Sequence, residues 1–410
     1  MNLTILCPHF APDLAPTGEV MTSIAEAWVA EGHRLHVVTA LPWYVRHDIE
    51  PGWEGRLVRH EDVPWGRITR VHPFPTDKTN IPARALAFGG FTVLSGVVAA
   101  VGRTRPDVVL AMSPPLTLGL AGWLVARARR VPFVFNIQDV FPDVAIEAGV
   151  LTGARAIDAA YRLERFTYAR ADAVTVLSED LHDNVVAKLP ADAAGRVHVI
   201  PNFIDTGRIV PGPRENDYRR EFGLEGKTVV MYAGNLGFSQ PVDLLLDAAV
   251  ALRDDPSVAF VVNGGGSARA ALVDRARGLD NVTFVGLQPK ERLPEVLAAA
   301  DIHVVLLRSG LARASVPSKL YSILAAARPL VASVDPGTEV ANTVEAAGAG
   351  LSVRPGDAEA LTKALRQLIE RPDEARAMGQ SGRTFVEQWP SPADIAARYD
   401  ELFVSLTRQR

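Results

Sequence analysis

Residues 205–242 read DTGRIVPGPRENDYRREFGLEGKTVVMYAGNLGFSQPV, and the change of texture within them decides the fold. A polar stretch, 205–226, gives way to a short apolar run rich in β-branched residues, 228–232, then to a Gly-bearing turn and an apolar helix beginning at Val242. Strand, small-residue turn and helix in that order open a βαβ unit. Downstream the rhythm continues through candidate strands 259–263, 282–285, 302–306 and 330–333. Upstream it has already run once, through 3–7, 35–39, 108–112, 133–137, 173–177 and 197–200, with a helix over 20–31. The pattern restarts at the polar stretch. The expectation is an α/β protein: two Rossmann-like, doubly wound domains facing across a cleft, 1–205 and 206–389, with a terminal helix, 390–410, able to pack on either. Open α/β sheets take their ligands at the carboxyl ends of the strands, so the loops there are where the chemistry is sought.

Composition narrows the function. With 410 residues, 48% hydrophobic and 22% charged, the chain is globular and long enough for two or three cores. Cys7 is the single cysteine, which excludes a disulfide scaffold, thiol-pair redox chemistry and Cys-rich zinc sites. Lys plus Arg number 43 against 47 for Asp plus Glu, a net charge of -4 that gives no sign of a nucleic-acid partner. The start, MNLTILCPHF, lacks a basic n-region and a long apolar h-region, so a cytoplasmic protein is expected. Residues 85–102 are uncharged over 18 positions, the lower limit for a membrane span. A buried helix, an interfacial helix and a span all fit that stretch. Between Arg56 and Arg130, 11 Lys or Arg stand against 4 Asp or Glu, a local net of +7. Basic surface beside an apolar helix is what an anionic leaflet attracts.

Three strand-end loops carry candidate chemistry. Gly234-Asn235-Leu236-Gly237-Phe238-Ser239-Gln240 lets backbone N–H groups approach an anion, although a tight turn explains its glycines equally well. Asn263-Gly264-Gly265-Gly266 gives Gly-x-Gly, but Arg269 stands where a dinucleotide fingerprint wants Gly or Ala. Ser315-Val316-Pro317-Ser318 has the form of a helix start, with Ser able to cap. Lys319 then sits in the first turn, where the helix dipole opposes a cation by about 0.3–1 kcal/mol. A bound diphosphate would give that lysine a reason, and a solvated lysine over the helix is the plain alternative. Arg308 and Arg313 add charge nearby in sequence. In the first half, His9 lies in a Pro-rich loop that runs to Gly18, either as an acceptor-side hydrogen-bonding group or as a structural histidine. Gln138 and Asp139 close the strand that begins at Phe133, where Asp139 either orients a hydroxyl or caps a turn.

Taken in order, EGHRLHVVT (31–39), FNIQDVFPD (135–143), ADAVTVLSE (171–179), VIPNFID (199–205), YAGNLGFSQ (232–240), FVGLQPKERLPEVLAAADI (284–302) and PSKLYSILAAARPLVAS (317–333) resemble the retaining glycosyltransferases of family four, which have the two-domain GT-B architecture. Within that family the chain looks most like bacterial envelope and exopolysaccharide enzymes of the colanic-acid and L-fucosamine transferase type. The resemblance covers nearly the whole chain. It implies a nucleotide-sugar donor, UDP-linked by preference, on the C-terminal domain and a saccharide acceptor on the N-terminal one. It also implies no metal cofactor and a terminal helix that returns to the N-terminal domain. Carried over position by position, the donor site falls on Gly234, Asn235, Gly237, Ser239, Gln240, Gly265, Gly286, Leu287, Pro317, Ser318, Lys319 and Ser322. The acceptor site falls on His9, Gly18, Gln138 and Asp139, with Asp139 and Lys319 as the catalytic candidates. The family's paired glutamates would fall at Ala314 and Ser322, so neither is present, and Gln138 stands where many relatives carry histidine.

The leaving group in such a transfer is a nucleoside diphosphate whose developing charge calls for cations and backbone donors, which suits the 234–240 turn and Lys319. A glycoside hydrolase would instead need two carboxylates flanking the bond. The expected function is therefore transfer of a hexose, deoxyhexose or N-acetylaminosugar to a lipid-linked saccharide, with the +7 region near the membrane. A nucleotide-sugar epimerase of the same architecture and a non-catalytic sugar-nucleotide binding subunit are the alternatives.

Overall fold

The computed structural model describes residues 1–76, 81–237 and 240–409. The chain forms two compact units, one of Met1–Ile146, Val150–Phe203 and Pro390–Arg410, the other of Glu147–Gly149 and Ile204–Trp389.

The first unit is built on an eight-stranded sheet, β1 (Asn2–Leu6), β2 (Arg34–Ala40), β3 (Val58–Val63), β4 (Gly66–Val71), β5 (Val108–Ser113), β6 (Phe133–Ile137), β7 (Ala173–Val176) and β8 (Val197–Val199), in the order β3-β4-β2-β1-β5-β6-β7-β8. Every pairing is parallel except β3 with β4. The interior strands are nearly continuous apolar runs because helices cover both faces, and β5 and β6 are buried at every residue. That continuous signal is what the sequence displays. The hairpin β3–β4 was not anticipated, because VRHEDV at the sheet edge alternates exposed and half-buried residues and carries four charges or histidines among six positions. Its Asp62 pairs with Arg67 across the strands at 2.7 Å.

The second unit carries β9 (Thr228–Ala233), β10 (Val258–Asn263), β11 (Val282–Val285), β12 (Ile302–Leu306), β13 (Leu330–Ser333) and β14 (Gly350–Val353), all parallel, in the order β11-β10-β9-β12-β13-β14. Strand β14 was also unforeseen; GLSV is short and small, and it lies on the edge. The polar stretch 205–226 is not a bare linker, since it holds the helix Asp217–Glu221. Arg219 from that helix is fully buried, donating to Asp301 Oδ2 at 2.5 Å and to the carbonyls of Ala299 and Lys227. A charged residue can be fully buried there because each of its three side-chain nitrogens donates to an oxygen.

Residues 85–100 fall in the helix Ile81–Ala100, with Val101 and Gly102 just beyond its end. One side is core, with Phe91, Ser95 and Ala99 buried, while Val93, Val97 and Val101 are 67%, 56% and 73% exposed. The helix is thus neither wholly buried nor a span, and among the described residues no helix is long and apolar enough to cross a membrane.

The last helix, Pro392–Arg408, opens with a capping box between Ser391 and Asp394 and belongs to the first unit. It packs on Pro16–Ala30, where buried Trp28 touches Tyr399 and Phe403 at ring-centroid distances of 5.6 Å and donates Nε1–H to the Ala396 carbonyl at 3.3 Å. Tyr399 reaches further, its hydroxyl meeting Asn136 and Thr175 at the ends of β6 and β7. Replacing Trp28 by Ala empties this joint. Such a change is expected to destabilise the first unit by about 3–5 kcal/mol in urea unfolding, and an unchanged midpoint would contradict the joint's importance.

Candidate active site

In the second unit the chain runs from β9 to β10 and β11 on one side, then crosses to β12, β13 and β14 on the other. The carboxyl ends of β9 and β12 therefore flank a topological switch point, where such sheets bind ligands. The β9 side continues into Gly234, Asn235, Leu236 and Gly237, and the β12 side leads through a loop into the helix Lys319–Ala325.

Lys319 bridges the two sides. Its Nζ donates to Tyr232 Oη at 2.7 Å and lies 3.9 Å from the Tyr232 ring centroid. The hydroxyl passes the hydrogen bond on to the Asn235 carbonyl at 2.6 Å. A Cβ at Gly234, whose φ is +145, would stand 2.9 Å from that Nζ, so the missing side chain is what admits the lysine. Among the described residues no carboxylate pairs with Lys319, and burial pulls its amine down to about 7. The outcome is a cation site prepared without a resident anion.

The two Gly-bearing loops are knitted together beyond the ends of their strands. Gly234 N–H donates to the Asn263 carbonyl at 2.9 Å, Leu236 N–H to that of Gly265 at 2.8 Å, and Ala268 N–H to that of Leu236 at 2.9 Å. A Cβ at Gly264, φ +150, would fall 1.9 Å from the Gly234 oxygen. Backbone contact of this kind leaves room for glycine alone. Gly-x-Gly here serves loop-to-loop packing rather than a dinucleotide fingerprint.

The other expected donor residues divide by place. Asn235 is exposed beside the crevice, and Gly265 is half-buried in the neighbouring loop. Gln240 has its Oε1 buried with no hydrogen-bond partner among the described residues, and Ser239 lies outside them. Gly286 and Leu287 follow β11, beyond β10 from the crevice, and Leu287 is 71% exposed. Pro317 and Ser318 precede Lys319, but Ser318 does not cap. Its φ of -55 and ψ of -25 are already helical and its side chain accepts no cap hydrogen bond, so the capping expectation is corrected. Ser322 is half-buried one turn on, while Ala314 is buried, leaving no carboxylate at either position.

In the first unit the switch point lies between β1 and β5. The loop after β1 is pinned by buried Asp13, whose Oδ2 sits 2.6 Å from His9 Nδ1 and whose Oδ1 accepts from Tyr44 N–H at 3.0 Å. His9 also stacks on Trp43 and meets Tyr44 edge-on. With the carboxylate taking Nδ1–H, Nε2 is the nitrogen with a lone pair to offer. Arg70 of β4, buried and paired with Glu61 at 2.9 Å, donates to the Ala11 carbonyl at 2.5 Å and holds the loop from beneath. A Cβ at Gly18 would come 2.8 Å from His9 Cβ, so glycine lets the helix start lie against the histidine. Burial pushes the Cys7 thiol up to about 12, which rules it out as a nucleophile.

Gln138 is buried with both ends engaged, Nε2 donating to Asn136 Oδ1 and Oε1 accepting from Asn202 Nδ2, each at 2.9 Å. Asn136 in turn bonds Tyr399 of the last helix. Gln138 therefore braces the strand end, and Asp139, half-buried, follows it directly. Tyr232, Asp13 and Arg70 were missed in the sequence. Only Asp13 left a local sign there, its i+4 spacing from His9.

The close loop contact makes a sharp contrast testable. Gly264→Ala is expected to destabilise the second unit by at least about 1–3 kcal/mol. Gly265→Ala, with nothing within 4 Å of its Cβ, should stay within about 0.5 kcal/mol of the parent. Equal melting temperatures for the two variants would refute the packing role.

Residues 17–202 match the glycosyl transferase 4-like domain, and residues 214–385 match the glycosyl transferases group 1 family. The chain is 28% identical over 381 residues to WcaI of Escherichia coli K12, named for glycosyl transfer in colanic acid biosynthesis, covering 91% of this chain and 93% of WcaI. In fold it is similar to sucrose-phosphate synthase of Thermosynechococcus elongatus, with a TM-score of 0.78 at 19% identity and full coverage of both chains. It is likewise similar to Anabaena HepE solved with UDP-glucose, with a TM-score of 0.72 at 16% identity, covering 99% of this chain and 100% of HepE. With a different domain model matched in each half and a relative matched nearly end to end, the chain belongs to the family 4 glycosyltransferases of GT-B architecture, in the company of those that build bacterial envelope polysaccharides.

Proposed function

We propose that this glycosyltransferase moves a hexose, deoxyhexose or N-acetylaminosugar, with retention of anomeric configuration, from a nucleotide-sugar to a lipid-linked saccharide in envelope or exopolysaccharide synthesis. The observation that carries the donor half of this reading is Lys319 Nζ, held beside Gly234 at the switch point without a carboxylate partner among the described residues. UDP is the nucleotide of first choice, in keeping with the UDP-glucose bound to HepE. The envelope setting follows the name of WcaI. Enzyme and acceptor would then work at the cytoplasmic face of the plasma membrane, the protein as a peripheral one, and nucleic acid has no part.

In the step itself the bond from the anomeric carbon to the diphosphate oxygen breaks and a bond to the acceptor hydroxyl oxygen forms. The hydroxyl proton passes to the departing phosphate. Charge grows on the diphosphate, and stabilisation comes from groups already aimed at it. Lys319 and the N–H groups of the loop 234–237 fill that role in this reading, which needs no metal. Asp139 and His9 Nε2 orient the acceptor hydroxyl, with Gly18 and Gln138 setting their positions.

A thermal-shift titration with UDP, GDP, ADP, dTDP and NAD tests the donor site. A nucleotide at 100 times its dissociation constant adds about 2.7 kcal/mol of stability. One nucleoside diphosphate is expected to raise the melting temperature, and Lys319→Met to lose most of that rise. Turnover of a nucleotide-sugar without acceptor would favour the epimerase, and a response to NAD alone would overturn the proposal.

A further inference from the structure

The loop that follows β2, residues 41–57, takes no part in the step above, yet it lies beside the His9 loop because β2 is the neighbour of β1 in the sheet. It is held at two points by groups that also hold the His9 loop. Near its start the buried Asp13 carboxylate accepts from Trp43 N–H at 3.4 Å and from Tyr44 N–H at 3.0 Å, through the oxygen that is not engaged with His9. Farther along, the Trp53 ring takes the guanidinium of Arg70 at 5.0 Å from its centroid and that of Arg59 at 4.2 Å. Between the two anchors Glu50 N–H donates to the Pro42 carbonyl at 2.9 Å and closes the turn.

This anchoring presents an aromatic surface. Half-buried Trp43 stacks on the His9 imidazole, with ring centroids 5.9 Å apart and an interplanar angle of 24°. Tyr44 stands nearly perpendicular to the same imidazole, at 79° and 5.3 Å, and also meets His47 at 6.2 Å. Tyr44 nevertheless stays 38% exposed, and among the described residues its hydroxyl has no hydrogen-bond partner. Leu14 and Val45, next in sequence to Asp13 and Tyr44, are exposed as well. The surface around His9 is therefore aromatic and apolar, with an imidazole lone pair and a phenolic hydroxyl as polar points.

A tyrosine offers an apolar body with a polar tip and has only two side-chain torsions to freeze. Here the hydrogen-bonded backbone and the neighbouring rings have already restricted them, so little entropy remains to be lost when a ligand arrives. The matching ligand carries C–H groups on a face and hydroxyls around its edge. A pyranose ring is built in that way, its axial hydrogens gathered on the faces and its hydroxyls on the rim.

We propose that Tyr44, with Trp43 and His9 beside it, is the stacking platform for the acceptor. The acceptor ends in a pyranose that lays a C–H face on the Tyr44 ring while one of its hydroxyls donates to His9 Nε2. Choice of acceptor then resides in the loop 41–57 as well as in the loop after β1. The inference rests on the acceptor-side reading of His9 given above, and the donor crevice has no part in it.

The test is saturation-transfer NMR of the full chain with methyl β-D-glucopyranoside, methyl β-D-galactopyranoside and methyl N-acetyl-β-D-glucosaminide, with and without UDP. At least one glycoside is expected to bind, with saturation concentrated on the hydrogens of a single ring face. Tyr44→Ala should weaken that binding about tenfold, the value of one aromatic contact, and Tyr44→Phe should stay within about twofold of the parent. Both variants should keep the parental melting temperature, as an exposed position allows. Binding of no glycoside, parental binding by Tyr44→Ala, or saturation spread evenly over both faces would overturn the proposal. Displacement of the glycoside by uridine would overturn it too, because the platform would then serve a base. Stabilisation by UDP reports the donor site separately: UDP binding without glycoside binding refutes the platform alone, and glycoside binding without UDP binding refutes the donor reading alone.

Discussion

The amine of Lys319, held over the Tyr232 ring with no carboxylate partner among the described residues, is the arrangement on which the second unit turns. A cation taken partly out of water loses hydration that a hydroxyl and a π-face return only in part, and the lowered amine pKa expresses the shortfall. An arriving diphosphate would make up that deficit. The surrounding structure is shaped to keep the amine there: Gly234 clears the space, Asn235 takes the Tyr232 hydrogen bond, and Gly264 and Gly266 let the two loops run side by side.

The first unit solves a different problem by different means. Its loop after β1 is long and rich in proline, and it is ordered by ionic groups beneath it as well as by buried Phe10. Asp13 gathers His9 and the N–H of Tyr44, while Arg70 holds two carbonyls. The last helix reaches back from the chain's end to the same sheet through Trp28, Tyr399 and Asn136. Gln138 beside Asp139 thus rests on a hydrogen-bonded chain that ends in the terminal helix, which gives that helix a mechanical tie to the end of β6.

Much of this was legible in the residues and some was not, for definable reasons. Interior parallel strands are buried on both faces, so runs such as VVLAMS and FVFNI announced themselves, and two strand rhythms separated by 205–226 gave two domains. The hairpin β3–β4 alternates charge with half-buried positions at an edge, and a search for apolar runs passes over it. Lys319 was visible because a cation in a first helical turn runs against the dipole, although Ser318 proved to be helical rather than capping. Its partner Tyr232 looked like one more apolar strand residue, and nothing local marked it. Arg70 and Arg219 were invisible for a similar reason, since a buried arginine is justified only by oxygens brought from distant segments. Gly-x-Gly at 264–266 was seen as an incomplete dinucleotide fingerprint, whereas its first demand is the close approach of the Gly234 carbonyl.

The central claim, that the Lys319 amine waits for a diphosphate, has a direct calorimetric signature. With its pKa near 7 in the free protein, the amine is largely neutral at pH 8, and a bound dianion raises that pKa again. Binding above pH 7 must therefore take up protons, and affinity must fall as pH rises through that range. Titration calorimetry of UDP at pH 8, in two buffers of different ionisation enthalpy, measures the uptake. The account predicts close to one proton bound per nucleotide, shrinking toward pH 6 and absent in Lys319→Met. Binding with no proton uptake, or with the same uptake in that variant, would contradict it.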